Sequence, residues 1–450
     1  MSFCKTYKVS FHSDELNLRY FFVKINLQNS GSKMCLIKLI DTKTILKTIN
    51  VMSVNKHYKE VKKLIRKSNL PDSYFASKYG FSPYMACEHS CKYCDGRAEK
   101  YYVEGDFEKD IIIRKNLPDL LQKELPKLRE KGFFSIGSGI SDAYQPIEKE
   151  EKLMRRAAEI MGENDFAVSI MTKSNLVLRD IDLWEKVNKN NRFLLMVSLT
   201  FTDDKQRKIF EPNTASVEER LEMLKAFKER GMYTGVLAMP FIPHISDNEK
   251  NIRALFEKLK EINIDFIMPG GLTLRPGIQK GGFLKIIEEN FPQYFDNLKS
   301  LYIENRASGA AFPKYYSGLH SITDSILEEL KIPQVIPHYI YKDQFPIYDE
   351  VFILMKHLFE LYRSKKLEVR RLTRAFKSYA HWLAEEKKVF NRRRRITQRD
   401  LEDKLMAMFV SSEFSKMTGN PKLADFLYRI VSERLIFDYV KKDITSVNSY

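Results

Sequence analysis

Three of the five cysteines fall within eight residues, Cys87-Glu88-His89-Ser90-Cys91-Lys92-Tyr93-Cys94, a C-x3-C-x2-C spacing. Thiolates this close repel one another unless a cation sits among them. The spacing therefore points to a metal or a cluster. A cubane iron–sulfur cluster normally takes four cysteines, and the other two here, Cys4 and Cys35, lie in a different segment. Three ligands leave one iron of a [4Fe–4S] cluster open. S-adenosylmethionine chelates such an iron through its amino and carboxylate groups, and one electron from the cluster then splits a carbon–sulfur bond to give a 5′-deoxyadenosyl radical. The competing reading is zinc, with His89 completing a Cys3His set. Against it, His89 lies inside the tight loop, whereas structural zinc sites usually take their ligands as two separated pairs. An inert thiol cluster is a third reading.

The elements that must position this loop follow a rhythm from about residue 80 to 290. Strand-length apolar runs are expected at Phe81–Met85, Phe133–Gly137, Phe166–Met171, Phe193–Phe201, Tyr233–Met239 and Ile264–Met268. Helix-length runs lie between them: Asn116–Lys131, Glu148–Met161, Ser216–Arg230 and Asn248–Glu261. In the last, Ile252, Leu255, Phe256 and Leu259 are spaced for one buried face. Gly231 stands where a left-handed cap is expected. The alternation implies parallel strands joined by right-handed helical crossovers, a partial or complete barrel with functional residues at the carboxyl ends of its strands.

The chain has 450 residues, enough for two or three domains or one barrel with extensions. With 44% hydrophobic and 30% charged residues it has a globular composition. No uncharged apolar run is long enough to span a bilayer, and no secretory signal stretch opens the chain, so a cytoplasmic, non-membrane protein is expected. An odd cysteine count without an export signal argues against a disulfide framework. Before the rhythmic part, Tyr20–Ile25 alternates, and the Lys-rich stretch from Lys56 to Lys67 reads as helical. After about 320 the strand signal fades, and Asp349–Tyr362, Leu367–Phe390 and Asp400–Phe409 read as helices. Residues 361–400 hold 14 Lys+Arg against 4 acids, so this segment supplies about +10 of the net +16. Such an excess favours anionic partners, nucleic acid first; the plainer reading is a general Lys-rich habit.

With the cysteine motif, the aromatic Tyr93 before its last member, and its place after the first of about six strand–helix units, the chain resembles the radical S-adenosylmethionine superfamily. Further segments are similar to one branch, the spore photoproduct lyase or DNA repair photolyase-like proteins. They are PYMACEHSCKYCDGR, SGISDAYQPIEK (Ser138–Lys149), TKSNLVLRDIDLW (Thr172–Trp184), VSLTF with EPNTASVEERLEMLKAFKERG, LAMPFIPHISD and TLRPG. The resemblance covers Tyr84 to Leu319. It implies an α/β fold, a partial (β/α)6 TIM-like barrel over 76–320, with an N-terminal extension (1–75) and a basic helical C-terminal region (321–450).

The resemblance also implies roles. Cys87, Cys91 and Cys94 would ligate the [4Fe–4S] cluster. Tyr93 would pack by the cluster or the adenine of S-adenosylmethionine. Ser138, Gly139 and Ser141 lie on a loop whose backbone can approach and accept from the ligand's amine, and Asp142 would steady that loop. Lys173 would pair with the ligand carboxylate. Ser198 and Thr200, on one face of the fourth strand, would bond the ribose or the carboxylate. Arg275 is a candidate for an anionic substrate group. Tyr144 reads as a structural residue under the second-strand loop. Each alone is also ordinary turn chemistry or a solvated charge; the set carries weight because its members recur after successive strands.

The resemblance stops short of the lyase reaction. Those enzymes carry a hydrogen-donor cysteine on the second-strand loop, where this chain has Gly139. The expected function is therefore generation of a 5′-deoxyadenosyl radical and abstraction of hydrogen from an unidentified substrate, with a flavodoxin- or ferredoxin-type electron donor. Nucleic acid is the candidate substrate or partner through the C-terminal helices, where Arg392–Arg395 could neutralise phosphates. Aromatics that could stack on bases lie nearby (Phe376, Tyr379, Trp382 and Phe390), but the spacing of 376, 379 and 390, with Leu383, fits a buried helical stripe better. The alternative is a non-catalytic zinc- or Fe–S-bearing nucleic-acid-binding protein.

Overall fold

Pro83 decides where the first parallel strand stops. Proline has no amide to give a ladder, which disfavours carrying a paired strand on through it. In the computed structural model, which describes residues 54–137, 139–364 and 368–446, the expected Phe81–Met85 run is therefore divided. The strand lies earlier, at Ser77–Phe81, and Tyr84–Met85 peels away into a second sheet. Lys56–Tyr450 forms one compact unit. Cys4, Cys35 and Tyr20–Ile25 lie outside the described residues, as does Ser138.

The strands in chain order are β1 Asn55–Lys59, β2 Arg66–Asp72, β3 Ser77–Phe81, β4 Tyr84–Met85, β5 Asp110–Arg114, β6 Phe134–Ile136, β7 Val168–Thr172, β8 Phe193–Ser198, β9 Tyr233–Phe241 and β10 Phe266–Gly271. The main sheet has the order β10-β9-β8-β7-β6-β3-β2. Strands β3 and β6 to β10 are mutually parallel; β2 is an antiparallel edge. Helices Leu117–Glu124, Leu153–Met161, Ile181–Asn190, Val217–Glu229 and Glu249–Glu261 lie between the strands. This is the partial, open α/β barrel of six parallel strands expected above.

Two helical expectations change. The Lys56–Lys67 stretch forms parts of β1 and β2 rather than a helix. Its charges alternate with period two. Lys56 and Tyr58 reach Glu150 and Glu151, while His57 and Lys59 reach Asp110 and Glu104. The run Glu148–Met161 is broken at Lys152, whose φ is +52°, because Glu148 is pulled into the core. There it accepts from Tyr84 Oη (2.5 Å) and Arg179 (2.6 Å).

A parallel sheet needs both faces covered. On the outer face Phe134, Ile136, Val168, Ile170, Leu195 and Val197 pack against the crossover helices. On the concave face Phe133, Leu194, Met196, Leu237 and Met268 share a second core with the C-terminal helices Ile347–Ser364, Arg370–Arg392 and Gln398–Val410. Tyr379, Leu383 and Phe390 are buried in the helical stripe expected of them. A buried ion network joins helices to sheet. Lys78 of β3 meets Glu130 (2.7 Å) and Asp349; Lys387 meets Asp349 (2.5 Å); Tyr348 Oη donates to Glu130 (2.8 Å). Among the described residues no helix is long and apolar enough to cross a membrane.

Candidate cofactor-binding site

The cysteine loop leaves β4 and is shaped by its own backbone. Ala86 and Ser90 take left-handed conformations, with φ of +65° and +55°. Amide to carbonyl bonds run from Ser90 to Cys87 (3.3 Å), Cys94 to Cys91 (3.3 Å) and Arg97 to Cys94 (3.2 Å). The second-strand loop braces it: Ser141 Oγ donates to the Ala86 carbonyl (3.0 Å). Gln145, fully buried, accepts from the Glu88 amide (2.8 Å) and donates to the same carbonyl (3.2 Å). The end of β10 braces it from the other side. Asp95 accepts from Thr273 (3.1 Å), Gln279 (3.2 Å) and Arg275 (3.1 and 3.3 Å).

All three thiols are free; Cys87 and Cys91 are buried and Cys94 half-buried. Burial pushes each thiol up, Cys91 to about 12, so holding thiolates here calls for a compensating cation. His89 donates from Nδ1 to the Asn213 carbonyl (2.8 Å) and turns Nε2 to Asp142 (3.3 Å). Nε2 makes no hydrogen bond but lies against the Asp142 carboxylate, and His89 joins no group of three potential metal ligands among the described residues, which disfavours the Cys3His alternative. Among the described residues no three His, Cys, Asp or Glu side chains are gathered around one point for a metal ion. A cluster that takes one thiolate per iron makes no such demand.

Asp142 ties the loops together. It accepts from the Tyr144 amide (2.8 Å), Thr172 Oγ1 (2.8 Å) and the Lys173 amide (2.8 Å). Burial acts to raise its carboxyl, but His89 and these amides outweigh burial and hold it below the usual range. Lys173 donates from Nζ to Ser198 Oγ (2.8 Å) and lies 5.9 Å from the centre of the Tyr93 ring. Leu199 and Phe201 enter the outer core, so Ser198 and Thr200 face the concave side. Thr200 Oγ1 is buried there without a hydrogen-bond partner. The donor set and this unpartnered hydroxyl fit a cluster with a polar ligand beside it. Gly139 is exposed, with open space around it.

Several residues differ from expectation or were missed. Arg275 commits its guanidinium to Asp95 and the Ala307 carbonyl (2.8 Å), so it is a strut rather than a free anion contact. Tyr144 is a buried strut, bonded to Asp180 (3.2 Å) and Trp184 (2.7 Å). Tyr93 Oη donates to Glu211, and Glu211 meets Arg220 at 2.5 Å. Arg220 also donates to the Ser198 carbonyl (2.8 Å). Its signal was available: it shares the buried stripe of its helix with Val217, Leu221 and Leu224, and an arginine there demands a partner.

An open parallel α/β barrel with three free cysteines on a loop at the carboxyl end of its first strands defines the architecture of a radical S-adenosylmethionine protein. The radical SAM superfamily model matches residues 81–259. An uncharacterized protein of Methanocaldococcus jannaschii, MJ0683, is 34% identical over 193 residues, covering 42% of this chain and 69% of that protein. An uncharacterized protein of Mycobacterium tuberculosis, Rv2578c, is 25% identical over 231 residues, covering 50% and 67%. The chain belongs to the radical SAM superfamily, which implies S-adenosylmethionine and an iron–sulfur cluster. Among solved structures, a spore photoproduct lyase complexed with dinucleoside spore photoproduct is 18% identical with a TM-score of 0.46, covering 62% of this chain and 80% of that one. A native anSMEcpe with bound AdoMet is 17% identical with a TM-score of 0.30, covering 53% and 64%.

Proposed function

We propose that this chain is an enzyme in which Cys87, Cys91 and Cys94 hold a [4Fe–4S] cluster and the neighbouring residues hold S-adenosylmethionine. Together the bound groups supply a 5′-deoxyadenosyl radical that takes hydrogen from an unreactive C–H bond of the substrate. The observation that carries this reading is the pairing of three free cysteines on one braced loop with a lysine held at the adjacent strand end. Lys173, steadied by Ser198, supplies a cation for the ligand carboxylate. Thr200 offers an unused hydroxyl to the ribose or carboxylate. Tyr93, fixed by Glu211, presents a buried ring as a wall for the cluster or the adenine. Ser141 and Asp142 keep the second-strand loop against the cysteines. An external flavodoxin- or ferredoxin-type donor delivers the electron.

The test is composition. Protein prepared and reconstituted without oxygen should be brown and carry about four irons and four sulfides per chain. Replacing Cys87, Cys91 and Cys94 together by Ala should remove both. A colourless wild-type protein, or one that takes up zinc alone, contradicts the proposal.

A further inference from the structure

On β3, Tyr79 and Phe81 enter the outer core, so Lys78 and Gly80 face the concave side. Gly80 pairs with Arg66 of β2, the edge strand, and directly paired residues share a face. The glycine leaves the space that the arginine uses: a Cβ there would lie 3.3 Å from Arg66 Nη2 and 2.8 Å from the Ser135 carbonyl. The Arg66 guanidinium therefore lies over the rim of the concave face. Two residues further along the chain, the Ser82 carbonyl accepts from Arg114 Nη1 at 2.7 Å. Burial and the neighbouring Arg66 charge both push Arg114 below its ordinary value. Neither arginine has an acid within ion-pair distance among the described residues. Glu124, which reaches this segment, is turned to the amides of Leu64 (3.0 Å) and Ile65 (2.8 Å). Two like charges side by side without a counter-ion cost free energy that a bound anion would recover.

A second cluster adjoins the first. Helix Arg370–Arg392 ends against β2, where Asn391 bonds Asn69 (3.2 Å) and Lys67 (3.4 Å). Arg392, Arg393, Arg394 and Arg395 follow, all exposed and likewise without an acid within ion-pair distance among the described residues. Their backbone is not loose. Arg129 donates to the carbonyls of Phe390 (3.0 Å), Arg393 (3.4 Å), Arg394 (3.2 Å) and Ile396, and its guanidinium stacks on Phe390 at 4.1 Å. The four side chains thus project from an ordered turn, which lowers the ordering cost of binding. Lys67 adjoins Arg66 and by strand alternation leaves the other face of β2, so the two clusters are joined around the open side of this edge strand.

We propose that Arg66, Arg114 and Arg392–Arg395 form one track along β2 that binds the phosphate backbone of a nucleic-acid strand and leads it to the open side of the concave face. This rests on the proposed cofactor site, whose Ser198 and Thr200 face that concave side. The guanidinium fork pairs with phosphate and carboxylate oxygens alike; a run of six cations matches the charge repeated at every nucleotide of a phosphate backbone, which favours a nucleic-acid strand over an acidic protein.

Fluorescence anisotropy of a labelled single-stranded oligodeoxynucleotide with the full reconstituted chain tests the track. Changing Arg392–Arg395 together to Gln should weaken binding by about tenfold or more and lower the salt slope by roughly one for each phosphate no longer neutralised. Arg66→Gln with Arg114→Gln should do the same on a smaller scale. Arg114→Lys, which keeps the charge and spares the fold, should give an intermediate loss. Changing exposed Lys189, Lys225, Lys258 and Lys285 on the outer helices to Gln removes the same charge and should leave affinity within about twofold. Equal weakening by that control overturns the track in favour of bulk charge. Displacement of the oligonucleotide by polyglutamate as readily as by unlabelled strand overturns it in favour of an acidic protein, and absence of wild-type binding overturns it outright. None of these outcomes touches cluster content or deoxyadenosine formation, which test the cofactor reading separately.

Discussion

Asp95 follows Cys94 directly and accepts from Thr273 and Arg275, just beyond β10, and from Gln279 in the helix Ile278–Asn290 that follows. The cysteine loop is thereby tied to the far edge of the barrel. Charge-assisted bonds of this kind contribute about 1–2 kcal/mol when partly shielded from water. Arg275→Ala should therefore leave initial iron loading near wild type while the cluster is lost several-fold faster to a chelator, followed by visible absorbance. Lys173→Ala should raise the S-adenosylmethionine concentration needed for half-maximal deoxyadenosine formation by about tenfold or more, the cost of one charged contact, with Lys173→Arg between the two. The cysteines, Asp142 and Lys173 follow strands and Ser198 ends one, each with chemistry of its own, so the sequence singled them out; the structure links Asp142, Lys173 and Ser198 by hydrogen bonds. Arg220 was readable from its place in a buried helical stripe, whereas Gln145 and Glu211 were not assigned roles because their partners Ala86, Glu88 and Tyr93 lie in distant segments. Spacing along the chain does not reveal such partners.

Elements with clean periodicity were legible to within a few residues. The helix expected at Ser216–Arg230 is Val217–Glu229, closed by a Ser216–Glu219 capping box. β3 was misplaced for a physical reason: its inward residues are Lys78 and Gly80, and a buried lysine does not read as core until Glu130 and Asp349 are beside it. Lys387, on the helix Arg370–Arg392, completes that network with Asp349. Lys387→Met should lower stability by about 3–5 kcal/mol in denaturant unfolding, since it breaks a buried pair. A pH dependence belongs to the same helical layer. His357 donates to the Ser73 carbonyl (2.7 Å) and faces Tyr439 Oη (2.9 Å). Burial depresses it to about 4. The folded state therefore binds that proton less well than the unfolded state. The stability this contributes is complete above about pH 6.5 and is lost as pH falls towards 4, by about 1.4 kcal/mol per pH unit at most. His338, also depressed by burial, adds to that window; Glu350, held at about 2, titrates below it. His357→Gln should remove about one proton's worth of the slope.

At the scale of the whole molecule, the basic C-terminal helices are not an appendage. They cover Leu194, Met196, Leu237, Phe266 and Met268 on the lower concave face, leaving the strand ends above free for the cysteine loop, Lys173 and Ser198. Deleting residues 347–446 should expose that core and yield protein without a cooperative unfolding transition, read by circular dichroism on heating. Charge and composition disclosed that these helices are basic; they did not disclose that the same helices carry an apolar face for the sheet, because the partner strands lie more than a hundred residues away. The central claim is that this barrel holds a cluster at which S-adenosylmethionine is cleaved. The most direct test is to add S-adenosylmethionine and dithionite to oxygen-free reconstituted protein and quantify 5′-deoxyadenosine. The account predicts that it accumulates with wild-type protein and is absent with the triple cysteine variant. Its absence from cluster-loaded wild-type protein, or its formation by the triple variant, would contradict the account.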